Sequence, residues 1–177
     1  MTQFTKRVVL SATLLLFGAM LAVPTAAQTT ASVDALATVT GGVAALTATG
    51  QQDLDFGTVT AGAGPVTPGE SSWGRFYVTG EPSTNILVEF TTLPTTLDDG
   101  FGHSIDIDFA TDDGIFWGST YIPGTFSTFN PTVSQTLALG AGDPGEMYVG
   151  VRGTVDPPAT AVNGDYSGVI VLTVAYP

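Results

Sequence analysis

The residue types that most often perform chemistry are scarce in this sequence of 177 residues, which has one histidine and no cysteine. Lack of cysteine excludes disulfides, thiolate nucleophiles and cysteine-ligated zinc or iron–sulfur sites within it. Ser104 directly follows the one histidine, His103, but consecutive residues of a strand point to opposite faces. The two side chains therefore do not form a nucleophile and its base, and we predict that the protein is not an enzyme.

Four aspartates near the middle of the chain are candidate metal ligands. Asp106 and Asp108 alternate along a predicted strand, and Asp112 and Asp113 precede a glycine. Calcium takes carboxylate and carbonyl oxygens from loops, so calcium is the only cofactor that the sequence suggests. The spacing does not match an EF-hand, and a solvated acidic face is the alternative interpretation.

Aromatic side chains are the other candidate binding groups. Trp117 and Tyr121 lie in a stretch rich in Gly, Ser and Thr, and exposed rings in such a loop could stack on sugars. Aromatic residues of a β-sandwich more often fill its core. A secreted carbohydrate- or calcium-binding β-sandwich module is therefore the alternative function.

The charge balance limits the partners. The chain has 16 acidic and 4 basic residues, and its formal net charge is −12. Such an acidic surface repels phosphate backbones, so we expect no nucleic-acid partner.

Residues 1–27 have the order of segments found in an export signal. Lys6 and Arg7 precede an apolar run, residues 8–23, and small residues follow before Gln28. This is the pattern of a signal peptide, and the apolar run is short for a membrane span of roughly 20 residues. We expect export to the periplasm, cell surface or medium, and no stable membrane span in the mature chain.

The remaining sequence is typical of antiparallel β-structure. Apolar residues alternate with polar ones in residues 85–90, 103–109 and 146–152, and glycine and proline separate such runs. This pattern predicts an all-β sandwich or barrel of about nine or ten strands. We place this domain at residues 43–177. Residues 166–176 are apolar on both faces, which predicts a long central strand.

Residues 33–46 contain two candidate short strands, separated by Gly41 and Gly42. In the first, one face carries small apolar side chains and the other is mostly polar. The apolar face consists of Val33, Ala35, Ala37 and Val39.

Several motifs occur in a fixed order along the chain. An Ala/Thr/Val segment at residues 30–49 is followed by LDFGTV at 54–59, VTGEP at 78–82 and NGDYSG at 163–168, which leads into the final apolar run. This constellation resembles the bacterial domain-of-unknown-function family numbered 4402. It is also similar, more distantly, to spore coat protein U and chaperone-usher pilin domains.

The resemblance implies an immunoglobulin-like, pilin-like sandwich whose last strand comes from a neighbouring subunit. An extended segment would then add to an open sheet edge through main-chain hydrogen bonds. Residues 28–42 form the candidate donor extension, with Val33, Ala35, Ala37 and Val39 as the inserted side chains. The alternative is that the segment folds back and serves as the first strand of its own domain. The implied partners are identical or related subunits and a periplasmic chaperone. The chain lacks the cysteine pair usual in pilin relatives.

From these observations we expect an exported structural or surface protein. Its role would be that of a fimbria-like subunit, or of a cell-surface assembly or adhesion domain, working by β-strand addition.

Overall fold

The computed structural model describes residues 43–177, which form eleven β-strands and one short 3-10 helix, Glu70–Ser72. The predicted signal peptide (1–27) and donor extension (28–42) lie outside the described residues. No helix within residues 43–177 has the length and apolar character needed to cross a membrane. The strands are β1 (Thr47–Gln52), β2 (Gly74–Gly80), β3 (Asn85–Thr92), β4 (Thr96–Asp98), β5 (Ser104–Asp108), β6 (Gly114–Trp117), β7 (Ser127–Phe129), β8 (Gln135–Ala138), β9 (Gly145–Val151), β10 (Thr154–Asp156) and β11 (Val171–Ala175).

The strands form three antiparallel sheets. A five-stranded sheet has the order β1-β2-β9-β6-β7, and two three-stranded sheets have the orders β11-β3-β8 and β10-β5-β4. All eight strand pairings are antiparallel. The predicted all-β antiparallel sandwich is therefore confirmed.

The main core lies between the five-stranded sheet and the sheet β11-β3-β8. Alternate residues of β3, Ile86, Val88 and Phe90, are buried against Val78 of β2 and Met147 of β9. Side chains alternate between the two faces of a strand, so one apolar set fills the core while the other set meets solvent. Full burial of each such side chain contributes roughly 1.5–3 kcal/mol.

A second apolar cluster joins the sheet β10-β5-β4 to an extended segment. Ile105 and Ile107 of β5 and Val155 of β10 are buried, and Leu54 and Phe56 pack against them. Both belong to the LDFGTV motif, which runs as an extended segment outside the named strands. Its alternation directs the apolar residues inward and Asp53 and Asp55 to solvent.

The prediction of a long central C-terminal strand is wrong. The strand β11 covers only Val171–Ala175 and lies at the edge of its sheet. Val169 and Val171 are exposed, at 67% and 40% of their surface. The apolar run indicates a strand correctly, but its neighbours are set by the chain topology. Residues 43–46, the second predicted short strand before Thr47, are not a strand.

Candidate functional site

Two edge strands from different sheets meet on one side of the sandwich. The strand β1 ends the five-stranded sheet and β11 ends the sheet β11-β3-β8, and the two strands contact each other. The strands β7 and β8 end the same two sheets on the opposite side. Each side of the sandwich therefore presents two edge strands, one from each sheet. The two sides differ in how completely their core-facing residues are buried.

Side chains that face the core are incompletely covered between β1 and β11. Ala48 and Gly50 pair with Val78 and Phe76 and so share their inward face, but both are exposed. Leu172 and Val174 pair with buried residues of β3 and are only half-buried. On the opposite side, Phe129 and Leu137 are each only 7% exposed. We call the incompletely covered region formed by Ala48, Gly50, Leu172 and Val174 the open margin.

The backbone of β11 is also unpaired at the open margin. Its ladder joins it to β3 alone. Within residues 43–177, no other backbone–backbone hydrogen bond involves residues 171–175. An unpaired row of N–H and C=O groups is a template for a further strand.

One end of the open margin is closed by hydrogen bonds to Tyr176. Its hydroxyl donates to the carbonyl of Ala44 at 2.7 Å and accepts from the backbone N–H of Glu81 at 2.8 Å. The N–H of Ala44 in turn donates to a Glu81 carboxylate oxygen at 2.8 Å. The chain that enters β1 is thus fixed to the end of β11 and to the turn between β2 and β3.

The other end opens into a cavity of about 880 Å³. Gly50 and Phe76 line it beside Ile170, the residue directly before β11. Ile105 and Val155 of the second apolar cluster line it further. Polar residues, among them Asp53 and Asp165, also line the cavity, so the free backbone edge of the open margin lies beside a space of mixed polarity.

The predicted donor residues Val33, Ala35, Ala37 and Val39 lie outside the described residues.

The two predicted sugar-stacking residues are brought together, but within an aromatic cluster on the outer face of the five-stranded sheet. The Trp117 ring is 2% exposed and lies 5.1 Å from Tyr121 and 6.2 Å from Phe126 between centroids. The Arg75 guanidinium covers the Tyr121 ring at 4.1 Å. In this arrangement Trp117 has no free face for a sugar. Its indole N–H has no hydrogen-bond partner in the described chain.

The predicted calcium ligands fall into two separate pairs. Asp106 and Asp108 are exposed on β5, whereas Asp112 and Asp113 hold Arg152 through two ion pairs of 2.8 Å. Among residues 43–177, no group of three or more acidic or histidine side chains has the arrangement that could hold a metal ion.

The only histidine is part of a local turn. Its Nδ1 lies 2.6 Å from a carboxylate oxygen of Asp99. Desolvation raises the pKa of Asp99, but hydrogen bonds from the His103 ring and from the backbone N–H groups of Phe101 and His103 outweigh it, so the pKa is lowered. The pair shapes the turn between β4 and β5, and Ser104 takes no part in it.

Sequence reasoning missed two groups of contacts, those of Tyr176 and those of Arg152. Tyr176 and Glu81 both stand within the motifs that carried the family resemblance, but they are separated by 95 positions. The buried Asp113 and its partner Arg152 are 39 positions apart. Local periodicity contains no signal for either pairing.

The fold and its margin define an antiparallel β-sandwich with one incompletely closed side. The sequence matches no protein-family model, and no curated protein is significantly similar to it.

Proposed function

We propose that the protein is an exported structural subunit, fimbria-like or part of a cell-surface assembly, that joins neighbouring copies by β-strand addition. The observation that carries this proposal is the open margin, where the backbone edge of β11 is unpaired, Ala48 is exposed, and the inward-facing Leu172 and Val174 are only half-buried. The opposite side of the sandwich lacks this exposure, since Phe129 and Leu137 are buried.

Residues 28–42 are the proposed donor, and strand direction favours a second copy as their source. Tyr176, the residue directly after β11, is hydrogen-bonded to Ala44. If a chain folded its own residues 33–39 directly back from Ala44, they would run parallel to β11. A second copy can supply them antiparallel, which is the slightly more stable pairing.

For residues 33–39 to pair antiparallel with β11 of their own chain, the residues that connect them to Ala44 would have to be almost fully extended. Five residues of β11 span about 17 Å. Residue 39 would have to lie beside Val171, at the far end of β11 from Ala44. The link from residue 39 to residue 44 would then have to cover about 17 Å, which is close to its fully extended length. A donor from another copy has no such constraint.

The inserted side chains are small. Each valine would contribute roughly 1.5–2 kcal/mol on burial and each alanine less, for a total of about 5 kcal/mol. Main-chain hydrogen bonds to β11 would add to this contribution. We therefore expect oligomers that dissociate on dilution.

The test compares residues 28–177 with residues 41–177 by size-exclusion chromatography with light scattering. We expect oligomers or filaments from the longer chain only, and we expect the shorter chain to bind a synthetic 28–42 peptide but not its scrambled version. If both chains are monodisperse monomers, or if the shorter one unfolds, the segment belongs to its own domain and the proposal is wrong.

A matched pair of variants tests the face of the donor. In the longer chain, Val33→Asp with Val39→Asp should abolish oligomers. The control, Ser32→Asp with Thr40→Asp, places the same charges on the opposite face and should leave oligomers in place. Equal loss in both would show that added charge, and not the apolar face, controls assembly.

A further inference from the structure

The outer face of the five-stranded sheet presents tyrosines beside polar groups. Thr49, Tyr77, Tyr148 and Trp117 are direct cross-strand partners on β1, β2, β9 and β6. The loop after β6 buries Trp117, and its Tyr121 contacts the edge of the Tyr148 ring at 6.4 Å between centroids. Tyr77 and Tyr148 are half-buried, with ring centroids 5.0 Å apart. We call the surface formed by Arg75, Tyr77, Glu146 and Tyr148 the tyrosine face.

The polar groups of the tyrosine face retain hydrogen-bonding capacity. The Tyr77 hydroxyl donates to Glu146 at 2.5 Å, and Arg75 donates to Gln52 at 2.8 Å. In the described chain no protein group is hydrogen-bonded to the Tyr148 hydroxyl, and one Glu146 carboxylate oxygen and further Arg75 N–H groups also have no protein partner. Donors and acceptors therefore surround the two rings.

We infer that the tyrosine face binds a neutral glycan, a site independent of strand addition. A sugar ring has apolar C–H faces that pack on aromatic rings, and hydroxyls that both donate and accept hydrogen bonds, which are the groups Arg75, Glu146 and Tyr148 can satisfy.

Charge and polarity argue against other occupants. A chain of net charge −12 repels acidic polysaccharides. None of the exposed large hydrophobic side chains belongs to the tyrosine face, so it is not an exposed apolar patch. A neutral ligand with many hydroxyls fits both facts.

The test is calorimetric titration of the full chain with short neutral oligomers of β-linked glucose, β-linked N-acetylglucosamine and α-linked mannose, and with acidic alginate oligomers. We expect at least one neutral oligomer to bind and the acidic one not to bind. Binding of the acidic oligomer alone, or of none, would overturn the inference.

Variants locate the site. Tyr148→Ala should weaken binding by about tenfold, and Tyr148→Phe, which keeps the ring, by a smaller factor. Phe101→Ala is the matched control, because Phe101 is 88% exposed on a turn elsewhere. Unfolding curves would verify that each variant folds. If Phe101→Ala weakens binding as much as Tyr148→Ala, or if neither tyrosine variant changes it, the tyrosine face is not the site.

Discussion

The Tyr176 hydroxyl lies between two backbone groups that are far apart in sequence, 2.7 Å from the carbonyl oxygen of Ala44 and 2.8 Å from the amide nitrogen of Glu81. It joins the start of the sandwich to its last strand at one end of the open margin. The three residues are partly buried, so the hydrogen bonds are sheltered from competing water.

Tyr176→Phe should destabilise the protein. The substitution leaves the Glu81 N–H and the Ala44 carbonyl without their partner, which costs about 1–2 kcal/mol. Urea unfolding measures this difference. The control is Tyr166→Phe, which removes an exposed hydroxyl bonded to the carbonyl of Val162 and should cost less. An equal cost for both would show that the junction at Tyr176 has no special role.

Gly80→Ala should be destabilising through the same junction. A Cβ at position 80 would lie 2.6 Å from the Tyr176 hydroxyl and 2.9 Å from Cδ1 of both Leu46 and Leu139. We expect a loss of about 1–3 kcal/mol, reduced when Tyr176→Phe is also present because the nearest clash is gone. Gly118→Ala is the control, since nothing lies within 4 Å of its Cβ. Strict additivity of the two substitutions would refute this explanation.

Much of the fold could be predicted because a strand that buries one face has apolar residues at every second position of its sequence. Ile86 and Val88 of β3 and Ile105 and Ile107 of β5 are examples, and all four are buried. Strands of three residues, such as β4, are too short to show that period. The place of β11 at an edge could not be deduced either, because local sequence does not specify strand order.

The candidate site was less accessible to sequence reasoning. Ala48 and Leu172 are incompletely buried because of how two sheets are placed relative to each other. Residues 47–52 belong to one of these sheets and residues 171–175 to the other, so neither segment alone indicates the incomplete burial. Trp117 and Tyr121 are close in the sequence and also in space, with ring centroids 5.1 Å apart. Trp117 is buried beside Phe126 of the loop after β6, and Tyr121 is half-buried under Arg75, a contact with a distant part of the chain that local sequence does not display.

Arg152→Ala should be among the more destabilising changes of a charged residue. It would leave the Asp113 carboxylate, which is 8% exposed, without its ion-pair partner, and would also remove the cation held 5.5 Å from the Trp73 ring. We expect a loss of about 2–3 kcal/mol in the free energy of unfolding. Asp112→Ala removes the exposed partner of the same arginine and should cost less than about 1 kcal/mol. The reverse order would contradict the geometry.

Asp99 should make stability fall in mild acid. Its pKa is lowered in the folded protein from the ordinary value of 3.8, so the folded state favours the carboxylate. The stabilisation is complete above the unfolded pKa and is lost as the pH falls through the folded one. Asp99→Asn cannot titrate, so its unfolding free energy should decline less than that of the wild type between about pH 5 and pH 3. If the unfolding free energy of Asp99→Asn declines as steeply as that of the wild type over this range, the hydrogen bonds from His103 and Phe101 do not stabilise the charged carboxylate.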